Sequence, residues 1–298
     1  MKLLQPVAGD QWPVAGTESR SACLVTRHSS PVTCRAFTMI EIAICLAIIG
    51  VSLVAIVGVL PLGMSVQRDN REGTIINQDA TVLLEAIRNG AQGMNDLTNY
   101  VYAITNNWAL YNANGTVANT GANGYTYSSA SPTVTPSPYY PSHPINNGTN
   151  IIGLLSTPEF TDGNGAPINN LLSGNTYYSN HIVAYVRSLS GPAAEKPPQD
   201  NQILQEDTFS YRLLCVNAPV ATDTNVFNLP LNQQAYSLQL ARNLHELRLT
   251  FLWPQQPNGK LGAGRQTYRA LVAGQLATNV NYGPVLYFYQ PQSFAITQ

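Results

Sequence analysis

Charge is what this chain has least of. Lys, Arg, Asp and Glu make up 10% of its 298 residues and leave a formal net charge of -1, where an ordinary soluble domain carries about 25% charged residues. A nucleic-acid partner is excluded on this ground, because such a protein needs a basic stripe to displace counterions from phosphates. Between Asp96 and Glu159 there is no Lys, Arg, Asp or Glu at all. Asn, Thr, Ser, Gly and Tyr carry the polarity instead, a composition that suits a protein facing the outside of a cell better than a cytosolic enzyme.

Cysteine is scarce as well. Of four Cys, Cys23 and Cys34 precede the main apolar run, Cys45 lies inside it and Cys215 is far downstream. A disulfide framework is therefore excluded in the C-terminal part. No CxxC occurs, which excludes a zinc ribbon or a thioredoxin-like site. Signatures of catalysis are missing too: there is no GxSxG, no HExxH and no Gly-rich phosphate loop. His143, His181 and His245 each stand alone in the sequence. The expectation is a chain that is not an enzyme, with no cofactor and no metal. Asp162-Gly-Asn-Gly-Ala reads as a plain turn, since the rest of a calcium loop's oxygen spacing is absent.

What is present is one long hydrophobic run. Residues 42–60 contain no charge and would extend about 28 Å as a helix, close to the hydrocarbon thickness of a bilayer. Before the run, Lys2, Arg20, Arg27 and Arg35 outnumber Asp10 and Glu18, whereas Arg68, Asp69, Arg71 and Glu72 cancel after it. The positive-inside rule places the N-terminus in the cytoplasm and the bulk of the chain outside. Beyond the run, Ile76, Leu83, Ile87, Met94, Leu97 and Val101 recur at helical spacing, with Arg68, Arg71, Asp79, Glu85 and Arg88 left for other faces. The spacing predicts one helix over residues 37–101, membrane-spanning over about 37–64 and bent near Gly58, Pro61 and Gly63.

After that helix the pattern changes. Asn114-Gly115, Asn123-Gly124 and Asn147-Gly148 read as turns, and Pro132, Tyr139, Tyr140 and Pro144 mark a loop-rich stretch. Alternating apolar residues predict strands over 177–189, 208–216, 235–240 and 244–253, with Leu247, Leu249 and Phe251 on one face. A turn over 259–264 and a strand over 266–272 complete an antiparallel hairpin. The fold class is α+β: a long N-terminal helix packed on a C-terminal antiparallel β-sheet domain (residues 102–298) with long Asn/Gly/Tyr/Pro-rich loops.

The junction ahead of the apolar run carries the functional signal. It reads Arg35-Ala36-Phe37-Thr38-Met39-Ile40-Glu41. An acidic residue at the head of a membrane span is costly. A capping box, with Thr38 as N-cap and Glu41 three residues on, accounts for part of its presence. A basic residue, a small residue and then Phe-Thr-x-Ile-Glu resembles the processing site of type IV prepilins and type II secretion pseudopilins. The resemblance covers about residues 35–64 and implies a pilin-like fold. It implies that residues 1–36 are a cytoplasmic leader removed by a prepilin peptidase. Cleavage would fall between Ala36 and Phe37, with N-methylation of Phe37, and Glu41 would pair with a neighbouring subunit during assembly. Gly50 stands where the family often has a glycine. Ala36 stands where the family usually has Gly, and Pro61 follows the family's helix proline by a few residues, at whose place this chain has Gly58. The implied partners are the peptidase, other pilin or pseudopilin subunits and the inner membrane. The implied role is that of a structural minor subunit in a pilus or a secretion filament. The alternative is an uncleaved, single-pass surface binding protein or adhesin.

Overall fold

A computed structural model describes residues 37–90, 94–126, 141–145, 147–168, 176–190, 209–220, 229–256, 258–279 and 285–294. The leader, with Ala36, lies outside the described residues, as do Pro132, Tyr139 and Tyr140. The chain divides into two units, Met1–Pro61 and Leu62–Gln298.

In the first unit the described residues are the start of α1, a helix that runs over Met39–Arg88 with Pro61 inside it. Its large apolar side chains from Phe37 to Leu60 are all exposed. Among the described residues it is the one helix long and apolar enough, by length and composition, to cross a membrane.

The second unit is built on an eight-stranded sheet. Its strands are β1 (Val101–Tyr111), β2 (Val117–Thr126), β3 (Pro141–Pro144), β4 (Phe160–Thr161), β5 (Tyr177–Arg187), β6 (Ser210–Pro219), β7 (Leu244–Gln255) and β8 (Leu261–Ala273). They lie in the order β3-β2-β1-β5-β6-β7-β8, with β4 paired to β5. Among the described strand pairs of this sheet only β2–β3 is parallel. A 3₁₀ turn (Asn95–Asn99) precedes β1, and α2 (Gly148–Leu155) follows β3. A further helix, α3 (Leu231–Asn243), precedes β7, and β9 (Gln275–Asn279) and β10 (Leu286–Gln290) form a small hairpin of their own. The α+β layout expected from the sequence is therefore present.

The core follows from alternation. Leu247, Leu249 and Phe251 on β7 are fully buried, as are Tyr211 and Leu213 on β6. They join one apolar cluster with Ile76, Ala80, Leu83, Ala86 and Ile87 of α1. Each large aliphatic side chain buried there contributes about 1.5–3 kcal/mol.

Several boundaries differ from the sequence pattern, each for a local reason. The helix stops at Arg88 and not at Val101. Gly90 takes φ +65, the left-handed conformation that ends helices, and a Cβ there would sit 2.9 Å from the Tyr289 carbonyl oxygen. Leu97 and Val101 remain buried, so the apolar spacing survives while the backbone has turned into the 3₁₀ turn and β1. Residues 235–240, read as a strand, belong to α3, which starts behind Pro230; Leu231, Ala235, Leu238 and Ala241 also fit a helical period. Asn123-Gly124 lies inside β2 opposite Asn106 and Thr105. Asn147-Gly148 opens α2, where the Asn147 carboxamide accepts the Asn150 N–H at 2.7 Å. Asn114-Gly115 does form the β1–β2 turn, with Gly115 at φ +78. The β7–β8 turn is closed by Gln256 and Lys260, so β8 starts five residues before the expected Gln266. Gly262 and Gly264 are strand positions lying under Pro254 and Trp253.

Asp79 was left for an outer face of the helix, and it is fully buried. Its carboxylate accepts hydrogen bonds from the Leu189 N–H (2.9 Å), the Ser190 hydroxyl and the Tyr211 hydroxyl (3.0 Å). Burial pushes this carboxyl above the usual carboxylate range against the hydrogen bonds from Leu189, Ser190 and Tyr211, which favour its charged form. Asp79→Ala would strand the fully buried Tyr211 hydroxyl, at about 1–3 kcal/mol, and the half-buried Leu189 N–H and Ser190 hydroxyl at less each. Asp79→Asn keeps one acceptor oxygen and suits a site that disfavours charge. Urea unfolding of the full chain in detergent should show a loss of about 3 kcal/mol or more for Ala and a clearly smaller loss for Asn. Equal losses would mean that the hydrogen bonds do not decide the effect.

Candidate functional site

The start of α1 is where sequence and chemistry converge. Phe37 precedes the helix and is 80% exposed. Thr38 and Glu41 close a reciprocal cap. The Thr38 N–H and hydroxyl both donate to Glu41 Oε2, at 3.0 and 2.9 Å, and the Glu41 N–H reaches the Thr38 hydroxyl at 3.4 Å. This satisfies helix N–H groups that have no partner within the helix. Both bonds to the carboxylate fall on one oxygen. Among the described residues, Oε1 has no hydrogen-bond partner.

Over residues 42–60 the helix is apolar on every face. Its one hydroxyl in residues 42–60, Ser52, donates back to the Ile48 carbonyl at 2.8 Å, so that group is satisfied without water. Ala43, Ala47, Gly50 and Gly58 fall within one narrow face at helical spacing. A methyl group added at Gly50, Gly58 or Gly63 would meet nothing within 4 Å, so this chain's own packing does not require those glycines. Pro61 has no N–H to give to the carbonyl four residues before it. Cys45 is exposed on this stretch, whereas Cys215 is buried and donates from Sγ to the Leu155 carbonyl at 2.9 Å.

The other candidates resolve individually. Asp162 Oδ1 accepts the Asn164 and Ala166 N–H groups at 2.9 and 2.7 Å; its chemistry is spent on holding a turn. Among the described residues, no group of three His, Cys, Asp or Glu side chains could hold a metal. His181 is exposed, with Nδ1 at 3.5 Å from the Ser179 hydroxyl. His245 is 2% exposed. Its ring packs edge-on against Tyr289, with centroids 5.5 Å apart. Neither ring nitrogen makes a hydrogen bond of normal geometry. Among the described residues no carboxylate pairs with either ring. Residues 141–144 form β3, which contains His143.

Comparison with family models, with curated proteins and with solved structures found no match to the chain.

Burial holds the His245 imidazole below its usual range, with the Arg242 backbone opposing this. The unfolded chain then takes the proton first. Stability from this residue is complete above about pH 6.5 and is lost as pH falls through the lower folded pKa. The thermal midpoint of the full chain in detergent should therefore drop between pH 7 and pH 5, and His245→Phe should flatten that drop. Parallel curves for the two proteins would exonerate His245.

Proposed function

We propose that this chain is a structural, pilin-like subunit: a minor pilin or pseudopilin of a type IV pilus or type II secretion type filament. It sits in the inner membrane as a single-pass precursor with its sheet domain outside. Prepilin peptidase cuts between Ala36 and Phe37 and methylates the new Phe37 amine. The helix then leaves lipid for the interior of a filament, among other pilin-like subunits. One observation carries the reading: a helix apolar on every face begins with an acidic side chain whose second oxygen is unspent.

The physical support is as follows. A carboxylate at the head of an apolar helix needs a cation once water is removed, and the freed amine of a neighbouring Phe37 supplies one. The Thr38 cap holds Oε2 and turns the side chain toward the helix start, where that amine would lie. The small-residue face of Ala43, Ala47, Gly50 and Gly58 allows the close approach that apolar helices need in the absence of water. An uncleaved membrane-anchored adhesin would need the same span, but neither Phe37 nor the acid at Glu41.

Mass spectrometry of the protein recovered from membranes should give an N-terminal N-methyl-Phe37. A chain that retains residues 1–36 would reject the reading. Glu41 separates assembly from capping. Gln caps as well as Glu at this position, so if capping were its whole role Glu41→Gln would be silent. The proposal expects Glu41→Gln to be cleaved and inserted normally, and to fall at least tenfold in sheared filaments or crosslinked subunit complexes. Wild-type incorporation would leave the cap as a sufficient account.

A further inference from the structure

The large sheet ends in two edges that no further strand covers among the described residues. One is β8, 13 residues long, whose strand neighbour is β7 alone. Arg265, Gln266, Thr267, Arg269 and Leu271 on it are exposed, Leu271 at 62%. The other is the first part of β2. Strand β3 pairs with β2 only over residues 124–126, which leaves residues 117–123 with β1 on one side and no strand on the other. Such edges carry backbone donors and acceptors that no neighbouring strand pairs, a template for another strand; on β2 the Thr120 N–H meanwhile donates to Asn119 Oδ1 at 2.9 Å. Natural proteins usually shorten or bend an edge of this kind; β8 is long, and its irregularity lies at its start, opposite Trp253 and Gln255.

Topology and charge together select the partner. From β2 through β1, β5, β6 and β7 to β8 there are five successive antiparallel pairings, so β2 and β8 run in opposite directions. A second copy displaced across the sheet, and turned about the axis that crosses the strands so as to continue the sheet's twist, thus offers its β2 antiparallel to β8. A two-fold β8–β8 pair would be antiparallel as well. Centred on Thr267, however, it sets Arg265 against Arg269 twice; β8 contains no acid, Arg265 has no ion pair of its own among the described residues, and the contact of Arg269 with Glu246 on β7 is loose, at 3.8 Å. Like charges directly opposite one another in a sheet destabilise it. Residues 117–123 carry no charge.

We propose that β8 of one copy pairs antiparallel with residues 117–123 of a second copy. The contact is head-to-tail, joins two different edges and does not close on itself, so it propagates into open chains. It deepens the filament-subunit reading by naming the sheet-domain contact between subunits, and it is tested separately from that reading.

The test uses the full chain in its own membrane, with Cys23, Cys34 and Cys45 replaced by Ser. Successive strand pairings relate Thr267 to Thr250, Leu214, Val183, Thr105 and Gly124. By alternation Thr120 and Ala122 share that face of the sheet. Thr120→Cys or Ala122→Cys in one copy is therefore combined with Thr267→Cys or Leu271→Cys in another, and a short bismaleimide is added. All four positions avoid the buried core, so the fold is left intact. A dimer band should appear only when a β2 cysteine and a β8 cysteine are both present. A ladder should appear when one chain carries both. Dimers from Thr267→Cys alone would show the two-fold pair and overturn the proposal. Absence of a dimer in all four combinations would overturn it equally. N-methyl-Phe37 without any crosslink rejects the edge pairing alone, and crosslinks from an unprocessed chain reject the pilin reading alone.

Discussion

The sheet domain depends on one buried carboxylate. Asp79 sits in the middle of the apolar stripe of α1, between Ile76 and Leu83, and removing its hydration is affordable only because three donors replace the water. Two of those donors, the Leu189 N–H and the Ser190 hydroxyl, lie just beyond β5; the third is the Tyr211 hydroxyl at the start of β6. One side chain thereby fixes the helix against the two central strands. A step of one residue along the helix rotates the carboxylate by about 100°, away from all three donors. Apolar packing alone would tolerate a small slide of the helix. The hydrogen bonds would not.

Before Pro61 the same helix obeys a different rule. After it, polar positions such as Asn77 meet the sheet, where the Asn77 side chain accepts a hydrogen bond from the Tyr268 hydroxyl. In residues 42–60 no face is polar, and Ser52 bonds to its own helix. Apolar surface of that extent is unfavourable in water by about 25 cal/mol per Å², and the stretch is long and apolar enough to cross a membrane. Because the cap of Thr38 and Glu41 is local, it satisfies the helix start whatever surrounds it.

Much of this was legible in the sequence, since period and burial agree where one face is wet. The apolar run, the half-buried strands β5, β6 and β7 and the Asn114-Gly115 turn are of this kind. Failures arose where a local signal has two meanings. Gly262 and Gly264 read as turn residues, but they are small because an indole and a proline ring lie on them. Residues 235–240 fit both a strand and a helix period, and Pro230 decided the matter from outside the window. Asp79 was misplaced because its charge was weighed above its spacing, although a separation of three from Ile76 and four from Leu83 already put it on the buried face. The cap at Thr38 and Glu41 was legible because it needs only residues three apart. That Oε1 stays unspent was not, since it depends on side-chain geometry.

The shortage of charge then acquires a structural meaning. The close ion pairs, Arg68–Glu72 at 2.8 Å and Arg88–Glu85 at 2.9 Å, lie on α1; around the sheet this domain uses neutral amides and phenols. The Asn106 amide donates to Asn180, the Asn180 amide donates to Thr161, the Asn217 amide donates to the Ser156 carbonyl, and the Tyr289 hydroxyl donates to Asn217. Neutral hydrogen bonds are insensitive to salt, whereas exposed ion pairs weaken as it rises. The carboxylate–guanidinium contacts on the sheet, Arg248 and Arg269 with Glu246 and Arg248 with Glu159, are loose, at 3.7–3.8 Å. A surface built in this way also changes what happens when copies are brought together. Repetition multiplies any like-charge contact by the number of neighbours, so a subunit rich in one sign resists stacking on itself. A chain with a net charge of -1 and no charge from residue 97 to residue 158 presents little such resistance. The choice between edges is then left to the few charges that remain, and Arg265 and Arg269 on β8 are the ones that discriminate.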